Sequence, residues 1–125
     1  MAARRVLIVE DEKPIRDMIA FGLRRAGFDV AEAEDTRTAR MAMADCRPDL
    51  VLVDWMLPDA SGLELTRAIK KDKDTKEVPV IMLTAKAQDK DVFEGYHYGA
   101  DMYLTKPFKS EDLIGKVRKA IGQAK

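Results

Sequence analysis

Val6-Leu7-Ile8-Val9-Glu10-Asp11 sets four apolar residues against two carboxylates, and Leu50-Val51-Leu52-Val53-Asp54 ends a second such run on another acid. Runs that are continuously apolar, rather than alternating, predict strands covered on both faces and therefore a parallel sheet. If the two runs are neighbours, Glu10, Asp11 and Asp54 meet at one end of that sheet.

Outward from these runs, short β-branched segments alternate with stretches of helical spacing, the pattern of successive βαβ units. A first helix is predicted from Pro14, with Ile15, Met18, Ile19, Gly22, Leu23 and Ala26 facing inward and Gly27 as a left-handed cap. Phe28-Asp29-Val30-Ala31 is the second strand. The second helix is expected from about Thr36 to Cys46, with Ala39, Ala42, Met43 and Cys46 on its inner face and Pro48 closing it. Ser61-Gly62-Leu63-Glu64 has capping-box spacing and opens a third helix, whose polar end, Lys70 to Asp74, is predicted to be a solvated turn. Val80 to Leu83 forms strand four, a helix spans about Asp89 to Tyr98 before Gly99, and Met102 to Leu104 forms strand five. Ser110 is expected to cap a last helix that runs to about Ile121. The fold expected is α/β: a flavodoxin-like, doubly wound, five-stranded parallel sheet of order 2-1-3-4-5 with five helices, residues 1–125 forming one domain.

Composition narrows the function. Twenty-two basic residues balance 22 acidic ones, so bulk charge encodes neither nucleic-acid nor membrane binding. The one cysteine, Cys46, permits no internal disulfide and no cysteine metal cluster, which fits a reducing cytoplasm. The four apolar residues after Arg5 are too few for a signal-peptide core or a membrane span.

Two carboxylates about 4 Å apart repel by roughly 1 kcal/mol in water and about 4 kcal/mol at an effective dielectric of about 20. Three acids therefore call for a compensating cation, and all-oxygen ligands suit Mg²⁺ or Mn²⁺. Thr84 ends strand four and Lys106 follows strand five, so both belong to the same end of the sheet. A hydroxyl and an ammonium beside an acid cluster make a phosphoryl-transfer site.

Val6 to Asp11, Asp49 to Pro58, Val80 to Ala85 and Gly99 to Phe108, in this order and spacing, resemble the receiver (CheY-like) domain of two-component response regulators. Asp54-Trp55-Met56-Leu57-Pro58 and Tyr103-Leu104-Thr105-Lys106-Pro107-Phe108 are most similar to the subgroup of phosphate-regulon and osmoregulatory transcription regulators. The resemblance implies that Asp54 accepts a phosphoryl group from a sensor histidine kinase or phosphotransfer protein. It implies a Mg²⁺ site of Asp11, Asp54 and the Met56 backbone carbonyl, with Glu10 acting through bound water. Thr84 and Lys106 would grip the phosphoryl group, a cis Lys106-Pro107 bond would aim the lysine, and Thr84 with Tyr103 would form the switch.

That switch would reshape the surface of the helix near residues 89–98, the last strand and the last helix, and so control a separate partner or an effector domain. Met56 and Lys86, two residues beyond Asp54 and Thr84, offer no carboxylate or amide to orient a hydrolytic water, which predicts slow self-dephosphorylation. Met102 stands where the subgroup carries a second acid. One salt bridge of its usual dimer is thus missing, and a phosphorylation-dependent homodimer stays open, with Tyr96, His97 and Tyr98 as alternative contacts.

Other chemistries fit less well. A haloacid-dehalogenase-type phosphatase needs a second acid where Met56 stands, and no G-x-x-x-x-G-K-[ST] or G-x-G-x-x-G loop is present. A docking domain that keeps the fold without using phosphorylation is the remaining rival.

Overall fold

The computed structural model describes residues 3–84 and 99–123. Strands β1 (Arg5–Val9), β2 (Asp29–Ala33), β3 (Leu50–Asp54), β4 (Val80–Thr84) and β5 (Met102–Thr105) form one sheet. Every pairing is parallel and the spatial order is β2-β1-β3-β4-β5, as the sequence predicts. Helices α1 (Lys13–Arg25), α2 (Thr36–Asp45), α3 (Gly62–Lys71) and α4 (Ser110–Gln123) cover its faces. The helix expected near Asp89 to Tyr98 lies outside the described residues.

Side chains alternate across the pleat, so each strand feeds two cores. Val6, Ile8, Leu50, Leu52, Ile81 and Leu83 pack under α1 and α4. Leu7, Val9, Val51, Val53, Val80 and Met82 pack under α2 and α3. Burying each such side chain contributes roughly 1.5–3 kcal/mol, which is why the three central strands read so plainly as apolar runs. Strand β2 lies at the edge, and its polar Asp29 and Glu32 are exposed.

Several boundaries and faces differ from expectation. The Phe28 amide donates to Leu23 O at 3.0 Å and that of Gly27 to Arg24 O at 3.0 Å, a Schellman closure with Gly27 at φ 98°. Phe28 therefore completes α1, and β2 begins at Asp29. Within α1, Ala20 is buried beside Ile19 and Leu23, whereas Met18 is exposed. Cys46 is exposed because the chain turns extended there, at φ −153°. The reciprocal capping box forms at α2, between Asp35 and Thr38. Ser61 caps α3 by accepting from the Leu63 amide at 3.1 Å. The Lys109 carbonyl accepts the first amide bonds of α4, which makes Ser110 its first helical residue instead of its cap.

Lys70 is not part of a solvated turn. Its ammonium donates to Val78 O at 2.7 Å and pairs with Asp101 at 2.8 Å, binding the end of α3 to the strands. No helix among the described residues is long and apolar enough to cross a membrane.

Gly115 is exposed inside α4, and a Cβ there would meet no heavy atom within 4 Å. Gly115→Ala is expected to raise the unfolding free energy by about 0.5–1 kcal/mol, because it removes unfolded-state entropy at no steric cost. Urea denaturation checks this, and a loss of stability would contradict the open geometry.

Candidate functional site

Strand order reverses at β1, which pairs with β2 on one side and β3 on the other. In open parallel sheets the crevice beyond such a point is the place for a ligand. Val9 is in register with Val53, so Glu10 and Asp11 leave β1 beside Asp54 at the end of β3. Carboxylate oxygens of Glu10, Asp11 and Asp54 all lie within 4.8 Å of one another. Thr84 closes β4 next to Thr105 of β5, and the Lys106 amide donates to Thr84 O at 2.8 Å. That bond brings Lys106 back over the acids, and the Lys106-Pro107 peptide is cis.

The Lys106 ammonium donates to Glu10 Oε1 at 2.9 Å and to Asp54 Oδ1 at 3.3 Å. Glu10 is fully buried, and its other oxygen accepts from the Glu12 amide at 3.2 Å. Burial raises the Glu10 carboxyl to about 7; Lys106 and the Glu12 amide oppose this, while Asp54 reinforces it. Burial also pulls the Lys106 ammonium down, but Glu10 and Asp54 outweigh it and hold it above the ordinary lysine value. The site thus gathers three acids beside one cation. Its donors are all hard oxygens, and Asp11 is exposed to incoming solvent, so the set fits a small divalent ion.

Asp11, Asp54, Met56, Thr84 and Lys106 line one open cleft of about 290 Å³. Thr84 is buried at its wall, and the Met56 side chain points outward, 68% exposed. Tyr103 is half-buried opposite Met82, with its ring centroid 6.3 Å from that of Trp55, the residue after Asp54. Lys86, Tyr96, His97 and Tyr98 lie outside the described residues. Met102 packs against the core under α1 and α4. Asp101 is engaged within the chain, accepting from the Val80 amide at 2.8 Å as well as pairing with Lys70.

Three residues that strand-end motifs pass over also shape the site. Arg16 donates to the Glu10 carbonyl at 2.8 Å and pairs with Glu32 at 3.4 Å, fixing the main chain between β1 and α1. Gly62 lies directly against the Asp54 backbone. Asp59 joins the β3–α3 loop to α2. Glycine-turn and capping signals mark the last two as special in kind, but their partners are set by tertiary packing alone.

Residues 6–118 match the response regulator receiver domain. The chain is 47% identical over 118 residues to the phosphate regulon transcriptional regulatory protein PhoB of Pseudomonas aeruginosa, covering 94% of this chain and 52% of that protein. It is 39% identical over 114 residues to the transcriptional regulator RpaA of Synechocystis, covering 91% of this chain and 47% of that protein. The chain spans about half the length of these curated relatives. Among solved structures, the chemotaxis protein CheY4 of Vibrio cholerae superposes with a TM-score of 0.91 at 32% identity, covering 95% of this chain and 99% of that one. NtrX of Brucella abortus superposes with a TM-score of 0.90 at 32% identity, over 98% of this chain and 28% of that one.

Proposed function

We propose, from the premise that this chain belongs to the response regulator receiver family, that Asp54 is its phosphoacceptor and Mg²⁺ its cofactor. The observation that carries this reading is the meeting of Glu10, Asp11 and Asp54 under the Lys106 ammonium at the strand-order reversal. The chain is thus a signalling domain of two-component systems. Its own part in the chemistry is mostly positioning and charge neutralisation, as phosphoryl transfer demands.

A carboxylate oxygen of Asp54 attacks the phosphorus of a phosphohistidine. The P–O bond forms as the P–N bond breaks, and the electron pair leaves with the donor imidazole. Lys106, now held by Glu10 and Asp54, turns to a phosphoryl oxygen, and the Thr84 hydroxyl donates to another. Bound Mg²⁺ would neutralise phosphoryl charge, held by Asp11, Asp54 and the Met56 carbonyl, with Glu10 acting through water; Mn²⁺ suits the same donors. Movement of Thr84 toward the phosphoryl group would free space for Tyr103 to turn inward.

The donor is a sensor histidine kinase or a phosphotransfer protein. The recipient of the signal is a downstream protein or an effector domain of a longer regulator, in the cytoplasm, with a phosphorylation-dependent homodimer as one form of output. Residues 1–125 act as one receiver unit that binds neither nucleic acid nor membrane itself. Met56 and Lys86 leave a hydrolytic water unoriented, so the acyl phosphate is long-lived.

Intact mass after incubation with acetyl phosphate and Mg²⁺ tests the reading. One added phosphoryl group is expected, absent in Asp54→Asn and absent when the metal is chelated. Its decay should quicken in the Met56→Asn, Lys86→Glu double variant. No added group in folded, Mg²⁺-binding protein would favour the phosphorylation-independent docking domain instead.

A further inference from the structure

The loop between β3 and α3, residues 55–61, carries the Met56 carbonyl and is anchored at both ends. The Trp55 amide donates to Leu83 O at 2.9 Å, the Gly62 amide donates to Trp55 O at 2.8 Å, and Met56 bridges to Ser61. Its tip is held by a side chain. Asp59 accepts from the Thr36 amide at 3.0 Å, the Thr36 hydroxyl at 2.8 Å and the Arg37 amide at 3.2 Å.

These donors belong to the first turn of α2, where an α-helix leaves amides without intrahelical partners. Asp35 already serves the Thr38 amide, three residues on, at 2.8 Å. Asp59 reaches the two amides ahead of it, which the local cap leaves unserved. The two carboxylates thus divide the work: Asp35 belongs to the helix itself, and Asp59 ties another element onto it. Backbone hydrogen bonds at this terminus, chiefly from Thr36, hold Asp59 below the ordinary carboxylate range, so the attachment is charged at neutral pH.

We infer that Asp59 is a positioning residue for the metal site: by docking the loop tip on the N-terminus of α2, it fixes where the Met56 carbonyl stands relative to Asp11 and Asp54. This rests on the proposed Mg²⁺ site. Groups that hold a ligand in place without touching the ion commonly change metal affinity by roughly 10–100-fold when removed. Helix α2 keeps its own capping box without Asp59, so the effect on the site exceeds that on the fold.

Mg²⁺ titration followed by the emission of Trp55, the chain's single tryptophan and part of the cleft wall, reads the site directly. At a temperature where every variant is folded, Asp59→Ala is expected to weaken Mg²⁺ roughly ten-fold. Asp59→Asn, which keeps one acceptor oxygen, should fall between it and the unsubstituted protein, and it carries the test if the alanine variant does not fold. Asp35→Ala removes a cap of the same helix without touching the loop, and its Mg²⁺ affinity should be unchanged. Equal weakening in Asp59→Ala and Asp35→Ala, or none in either, would overturn the inference and reduce Asp59 to a second cap of α2. Failure of the unsubstituted protein to bind Mg²⁺ would overturn the metal site along with it.

Discussion

Lys106→Met is expected to destabilise the metal-free protein by about 3 kcal/mol at pH 8 and, at the same time, to strengthen its binding of Mg²⁺. Removing one partner of a buried ion pair typically costs about 3–5 kcal/mol, because the other charge is left uncompensated. Glu10 is that charge here, fully buried and bonded to the ammonium at 2.9 Å. Its escape is to take up a proton, which places the cost near the lower end. On the proposed Mg²⁺ site the ammonium, bonded to Asp54 at 3.3 Å, would compete with the ion for that carboxylate, so its removal would leave the acid freer for metal.

The pH dependence follows from the Glu10 shift. Its carboxyl is raised from 4.5 to about 7 in the folded protein, so between these values the native state holds a proton that the unfolded chain has released. The associated stability is fully present below pH 4.5 and is lost as pH rises through about 7. A shift of this size corresponds to something on the order of 3 kcal/mol. Without metal the Glu10 contribution falls across that window. On the proposed Mg²⁺ site, saturating metal would favour the deprotonated Glu10 carboxyl, and the profile should flatten. Lys106→Met should move the fall to higher pH and show its largest deficit on the alkaline side, shrinking toward pH 5. Denaturant titrations at several pH values, with and without Mg²⁺, check both the size and the sign. Weaker Mg²⁺ binding in the variant would sink the argument that ammonium and metal compete.

The central strands were legible because a parallel strand buried on both faces must be apolar at nearly every position, as Val6 to Val9 and Leu50 to Val53 are. Glu10, Asp11, Asp54, Thr84 and Lys106 were legible for a related reason: polar residues ending such runs have to emerge at the same edge. Helix faces were read less well. Spacing shows that α1 has an inner face, but Met18 and Ala20 both lie near its border, and hydropathy favours the larger side chain. The structure buries Ala20 and leaves Met18 exposed, because at about 3.6 residues per turn Ala20 lies closer to the direction of Ile19 and Leu23 than Met18 does. Ser61-x-x-Glu64 has the box spacing, yet the reciprocal closure forms at Asp35 and Thr38, a pair without the usual Glu or Gln three residues on. Least legible were contacts between distant positions. Asp59 meets Thr36 across 23 residues, and Lys106 meets Glu10 across 96. The second was accessible through the strand-end rule, whereas nothing in the loop's composition says that its tip reaches another helix.

Gly62→Ala is expected to cost about 3 kcal/mol of stability and to displace Asp54, the proposed phosphoacceptor. Gly62 opens α3 immediately after Ser61, with its amide on Trp55 O at 2.8 Å. A Cβ built on it would penetrate the Asp54 carbonyl oxygen and stand 3.0 Å from both Asp54 C and Val53 Cγ1. The first two of these atoms are main chain of a central strand paired with β4, so no rotamer change relieves the overlap. Overpacking a well-filled region costs typically 1–3 kcal/mol, and the upper end applies where only backbone can yield. Either α3 must retreat from the sheet, weakening the Leu63, Leu65 and Ile69 contacts, or the end of β3 must shift and carry Asp54 with it. The contrast with Gly115→Ala, where the same methyl group meets nothing within 4 Å, separates the steric effect from any general preference for glycine. Urea denaturation of both variants gives opposite signs if this geometry is right. In the folded fraction of Gly62→Ala, phosphoryl uptake should drop well below that of the unsubstituted protein, because Asp54 no longer stands in register with Asp11 and Lys106. Normal uptake with intact stability would show that β3 yields at no cost, contrary to the tight seat of α3 on the strand that bears Asp54.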